Sequence, residues 1–182
     1  MGELILVLGG ARSGKSRYAE RLAADYAKVI YLATGQVTDS EMAERIALHR
    51  ASRPASWRTV EEGYQPASAL RQALGEGPAE AVLLDCVSFL VTNHLLAAEE
   101  GFESRARQAL LELLHLCRER ELHLIAVSNE VGMALVPEHR LGRLFRDAQG
   151  RINQLLAREA DRVYACIAGI AVDLKRIGDV IE

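Results

Sequence analysis

Gly9-Gly10-Ala11-Arg12-Ser13-Gly14-Lys15-Ser16 matches the pattern G-x-x-x-x-G-K-[ST] at every position. A short, nearly continuous apolar run, residues 4–8, precedes it, and residues 16–27 read as a helix after it. Strand before and helix after is the context this pattern requires. The glycines let the backbone wrap so closely that several N–H groups converge on one phosphate. The helix opening at Ser16 adds the positive end of its dipole. Lys15 is then placed to reach the β/γ-phosphates, and the Ser16 hydroxyl to ligate Mg2+.

Working outward, apolar runs at 29–33, 81–84, 124–127 and 163–167 read as further buried strands, with shorter ones at 57–60 and 170–174. Between them lie helical patterns. Thr38-Asp39-Ser40-Glu41 has the form of a capping box and opens a helix to about Arg50. Pro66 suits the first turn of a helix to Leu74. A fourth helix follows Asp85 to about Ala98, and 104–120 and 141–160 are amphipathic, the last with a stripe that includes Leu141, Ala148, Ile152 and Leu156. Residues 128–137 read as irregular. Strands alternating with helices predict an α/β fold, a mostly parallel sheet with helices on both faces. At 182 residues, with no linker or repeat, the chain reads as a single nucleotide-binding domain over 1–182.

Composition narrows the function. Hydrophobic residues make up 49% and charged residues 26%, which suits a globular domain able to bury a core without metals or disulfides. The formal net charge of -3 gives no basic excess for nucleic acid. Cys86, Cys117 and Cys166 are widely spaced, show no zinc-site spacing and read as buried free thiols. No leader-like segment opens the chain, and no apolar run nears the ~20 residues of a membrane span. The expected location is cytoplasmic.

An acid at the end of a neighbouring strand is needed beside the metal. Asp85, after Ala-Val-Leu-Leu, fits that role; an equally ordinary role for it is helix N-cap. Ala33, Thr34 and Gly35 follow the second strand, at the edge where open α/β sheets bind ligands. His49 lies near the end of the 41–50 helix, where a solvated or capping histidine is commonplace. Arg45, Arg50 and Arg53 form either a solvated basic face or a phosphate clamp. Glu61 could meet a base, a ribose or a metal, or remain a surface acid.

The blocks Gly9 to Arg17, Glu41-Met42 with Arg45-Ile46 and His49, and Arg53-Pro54 through Trp57 to Glu61 occur in a distinctive order. They continue with Leu84-Asp85-Cys86, Val91-Thr92-Asn93, Ser128 to Gly132, Val136-Pro137, Phe145 to Asp147, Gly150 to Gln154 and Ala160-Asp161. On these residues the chain resembles the bifunctional adenosylcobinamide kinase/adenosylcobinamide-phosphate guanylyltransferase family of cobalamin biosynthesis. It departs at Ala134, where the family usually has glycine. The resemblance implies a RecA-like P-loop NTPase domain, assembled as a homotrimer. It implies that ATP or GTP phosphorylates the aminopropanol hydroxyl of adenosylcobinamide, and that GMP then passes from GTP to adenosylcobinamide phosphate through a guanylylated histidine, matched here by His49. It places the nucleotide against Gly9 to Ser16, Ala33 to Gly35, Arg50, Ala51, Ser52, Arg53, Glu61 and Asp85, with Mg2+ on Ser16 and Asp85.

Two other functions share part of this pattern. A P-loop kinase of another small metabolite would use Lys15, Ser16 and Asp85 and leave His49 idle. A nucleotide switch or motor fits less well, since no Asn-Lys-x-Asp guanine motif and no basic stripe occurs.

Overall fold

The computed structural model of the protein describes residues 2–36 and 54–181. Among these, seven strands form one sheet: β1 (Leu4–Gly9), β2 (Val29–Ala33), β3 (Arg58–Glu61), β4 (Ala81–Asp85), β5 (His123–Asn129), β6 (Arg162–Ile167) and β7 (Ile170–Asp173). Their order is β3-β2-β4-β5-β1-β6-β7, and every neighbouring pair is parallel except β6 and β7. The helices are α1 (Lys15–Ala23), α2 (Pro66–Glu76), α3 (Val87–Ala97), α4 (Phe102–Glu119), α5 (Arg140–Glu159) and the one-turn α6 (Leu174–Ile177).

Successive residues along each strand feed opposite faces. On β1, Leu4 and Leu6 join one core while Ile5 and Val7 join the other. The first core is closed by Leu70 of α2, Leu90 of α3, Leu113 of α4 and Ile152 of α5. The second receives Ala19 and Ala23 of α1, together with Trp57. Burial on both sides explains why β1, β2, β4 and β5 are continuous apolar runs rather than alternating ones. The α/β, mostly parallel architecture expected from the alternation, with helices on both faces, is what the chain forms.

Several boundaries differ from the reading of the sequence. The first helix stops at Ala23 rather than Ala27, because the backbone N–H groups of Ala27 and Lys28 donate to the Glu80 carboxylate at 2.7 and 3.1 Å and turn the chain into β2. Ser128 and Asn129 belong to β5, paired with Leu8 and Gly9, and are not part of the irregular stretch. Leu141 of the α5 stripe remains 43% exposed. The last strand turns back antiparallel on β6 through Ala168 and Gly169, both with left-handed φ of 52° and 82°, the form a two-residue hairpin needs. The 41–50 helix lies outside the described residues.

Candidate active site

β1 delivers the chain into the phosphate loop at Gly9. A Cβ at Gly9 would stand 2.4 Å from Ser13 Oγ and 2.7 Å from the Cys166 carbonyl oxygen, so glycine is required by close approach. The turn itself uses two left-handed residues, Arg12 at φ 56° and Gly14 at φ 93°, before α1 begins at Lys15. Arg12 holds that conformation without being glycine, the kind of local strain found at ligand sites. Gly14 is the N-cap and carries no side chain, and the first turn of α1 has no acidic residue. The Lys15 N–H donates to Ser13 Oγ at 3.4 Å, and the next N–H groups of the first turn, those of Ser16 and Arg17, are left to a ligand. The β6–β7 hairpin braces the loop from the side: Gly169 N–H donates to the Ser13 carbonyl at 3.0 Å.

Lys15 is half-buried rather than exposed, and its ammonium donates to the Gly10 carbonyl at 3.2 Å. Its charge also opposes the upward shifts of the Cys86 and Cys166 thiols, which are caused first by burial. It therefore acts on the ends of both β4 and β6.

Asp85 is not on the strand next to β1. β5 lies between them, with Gly9 level with Asn129 and Asp85 level with Val127. The register also sets Asp85 level with Ala33, and Ala33 level with Glu61. Asp85, Ala33 and Glu61 thus end three adjacent strands on the same edge as the phosphate loop. The N-cap of α3 is Cys86, without a side-chain cap bond, so Asp85 is not the capping residue. Its half-buried carboxylate instead accepts a hydrogen bond from the Tyr31 hydroxyl.

Of the other sequence candidates, Thr34 is fully buried. Its hydroxyl donates to the Cys86 carbonyl at 2.6 Å and accepts from the Cys86 N–H at 2.8 Å. Its side chain therefore secures the turn after Asp85. Gly35 lies against the Phe89 ring, and Glu61 is exposed. His49, Arg45, Arg50, Ala51, Ser52 and Arg53 lie outside the described residues.

Some supporting residues carried no role in the sequence reading. Asn93 donates from Nδ2 to the carbonyls of Thr34 and Gly63, both at 2.9 Å, and so joins the edges of β2 and β3. Ser128, Gln149 and Asn153 form a buried polar group, and Asn153 Nδ2 donates to the Asn129 carbonyl at 3.0 Å. For Asn93 and Ser128 the signal was a polar residue in an apolar stretch; Gln149 and Asn153, on a helix rich in polar residues, carried none. Tyr31 had no such signal, because an aromatic in a buried strand reads as core.

Among the described residues no group of three or more His, Cys, Asp or Glu is placed to hold a metal ion. One carboxylate and one hydroxyl suit Mg2+ that arrives with a nucleotide, whose phosphates and waters supply the remaining oxygens. No helix among them is long and apolar enough to cross a membrane.

A family model described as cobinamide kinase / cobinamide phosphate guanyltransferase matches residues 5–174. The chain is 43% identical over 182 residues to the bifunctional adenosylcobalamin biosynthesis protein CobU of Salmonella typhimurium, covering 94% of this chain and 99% of that protein. It is 44% identical to CobU of Escherichia coli over the same shares. It is also 44% identical to CobP of Pseudomonas aeruginosa, across 93% of this chain and 96% of that protein.

Proposed function

The chain belongs to the cobinamide kinase / cobinamide phosphate guanyltransferase family, and on that premise we propose that it phosphorylates the aminopropanol hydroxyl of adenosylcobinamide with ATP or GTP and then transfers GMP from GTP to the new phosphate. The product is adenosylcobinamide-GDP, with pyrophosphate released. The observation that supports this reading is that the phosphate loop, which opens into α1 at Lys15, and Asp85 lie at the same edge of the sheet.

In the first reaction the acceptor hydroxyl oxygen attacks the γ-phosphorus, the bond to the β-phosphate oxygen breaks, and the hydroxyl proton leaves. Such a transfer needs positioning and charge neutralisation rather than a protein nucleophile. The loop amides and the α1 N-terminus cradle the phosphates. Lys15 exchanges the Gly10 carbonyl for phosphate oxygens. Ser16 and Asp85 would hold Mg2+, which supplies charge neutralisation at the phosphates when bound.

The second reaction takes two displacements. A ring nitrogen of neutral His49 attacks the α-phosphorus of GTP, forming a P–N bond as the bond to pyrophosphate breaks. A phosphate oxygen of adenosylcobinamide phosphate then attacks that phosphorus, and the P–N bond breaks to restore neutral imidazole. Arg50 and Arg53, with the backbone of Ala51 and Ser52, would steady the nucleotide, and Ala33, Gly35 and Glu61 would line its other side. Residues 1–182 act as one cytoplasmic nucleotide-binding domain, assembled as a homotrimer; exposed Ile167, Ile170, Ile177 and Ile181 support a buried contact between copies. Mass spectrometry of adenosylcobinamide incubated with enzyme and GTP tests the proposal: phosphate should appear first and the GDP conjugate after it, whereas phosphate alone would leave a simple kinase.

A further inference from the structure

Tyr31 is 1% exposed and stands in the core beneath α1, beside Leu83 and Val127. A phenol there must find a hydrogen-bond partner, since an unpaired buried hydroxyl costs about 1–3 kcal/mol. It finds Asp85: the Tyr31 hydroxyl donates to Asp85 Oδ2. The register explains the reach. Tyr31 is level with Leu83, one step back on the same face as Ala33 and Asp85, and a tyrosine ring spans the diagonal to the next strand. On its other side Tyr31 stacks with Trp57, ring centroids 6.5 Å apart at 29°. Trp57 is 9% exposed and is the single tryptophan of the chain.

We infer that Tyr31 is a positioning residue for Asp85, occupying Oδ2 so that Oδ1 is left for the metal side, and that loading of Asp85 is transmitted through Tyr31 to Trp57. This rests on the proposal above that Asp85 is the metal-side carboxylate. A carboxylate free to rotate offers either oxygen in many orientations; one held by a buried phenol offers a single oxygen in one direction. Partners of this kind typically change metal affinity by about 10–100-fold when removed. The Thr34 bonds to Cys86 secure the backbone after Asp85, while Tyr31 secures its side chain. The two constraints act on different atoms of the same strand end.

The test titrates Mg2+ into full-length protein saturated with GDP, followed by Trp57 emission and by calorimetry. The wild type should change emission as Mg2+ binds; an unchanged emission would overturn the transmission, and needs no variant to show it. Tyr31→Phe keeps the ring and the stack. It should raise the half-saturating Mg2+ concentration about tenfold or more while GDP affinity in EDTA stays within about twofold. Equal weakening of GDP in EDTA would make Tyr31 merely structural and overturn the inference. Asp85→Asn should also raise the Mg2+ requirement, and Tyr31→Phe added to it should do nothing further. If Asp85→Asn shifts the Mg2+ midpoint and Tyr31→Phe does not, only the positioning inference falls. If Asp85→Asn leaves the midpoint unchanged, the metal-side reading falls and takes the inference with it.

Discussion

Gly9→Ala offers a sharp test of the phosphate loop, because the obstacle is defined by position. The added Cβ would stand 2.7 Å from the Cys166 carbonyl oxygen and 2.4 Å from Ser13 Oγ, against an ordinary contact of 3.4 Å. Ser13 can rotate its hydroxyl, but Cys166 is main chain, held in β6 level with Gly9 itself. The start of the loop must therefore move by roughly 0.7 Å away from β6. A misplacement near 1 Å can cost about 100-fold in rate, so kcat/KM for both transfers should fall by about 10–100-fold, or ~1.4–2.7 kcal/mol of barrier. Overpacking should also remove about 1–3 kcal/mol of stability, a drop in Tm of roughly 2–12 °C for a chain of this size. The assay pairs steady-state kinase and guanylyl rates at 25 °C with thermal melts, so that loss of rate is measured on folded enzyme. Gly75→Ala is the control: it lies in α2 with open space around its Cβ, and it should raise stability by about 0.5–1 kcal/mol with rates unchanged. A Gly9→Ala enzyme with normal rates and a normal Tm would refute the close-approach argument.

Lys15→Ala leaves the backbone cradle in place but removes the charge. Both activities should fall at least about 100-fold, near 2.7 kcal/mol, while melting is little changed; near-normal kinase rates would remove the phosphate-loop assignment. Burial pushes the Cys86 and Cys117 thiols up to about 12 and also raises Cys166, so thiolate is scarce at pH 8. Native protein should resist iodoacetamide at all three and label fully in denaturant; rapid native alkylation would contradict the burial. Sedimentation equilibrium at micromolar concentration should give a trimer of the 20.0 kDa chain, and a monomer alone would count against the proposed assembly.

Local chemistry was legible in the sequence, and relations between distant residues were not. The runs at β2 and β4 were readable because burial on both faces leaves no polar position to blur them. The phosphate loop was readable because its glycines, Lys15 and Ser16 stand in a fixed pattern within eight consecutive residues, although Gly9 is also required by the distant Cys166 carbonyl. The end of α1 depends on Glu80, more than fifty positions later, whose carboxylate takes two backbone donors. The place of Asp85 two strands from β1 depends on β5 inserting between them, which no local pattern encodes. Ala168 in a left-handed turn hid the β6–β7 hairpin, since alanine is a poor signal for positive φ. The Tyr31–Asp85 pair needed the register of β2 on β4. His49 and the arginines beside it rest on the sequence resemblance.

The covalent intermediate is the central claim, and α-labelled GTP examines it directly. The wild type should take up an acid-labile, base-stable GMP label, as a P–N bond would give. His49→Ala should take up none and transfer no GMP, yet still phosphorylate adenosylcobinamide. Acid-labile GMP on His49→Ala, or loss of both activities in a folded His49→Ala protein, would contradict the two-displacement account.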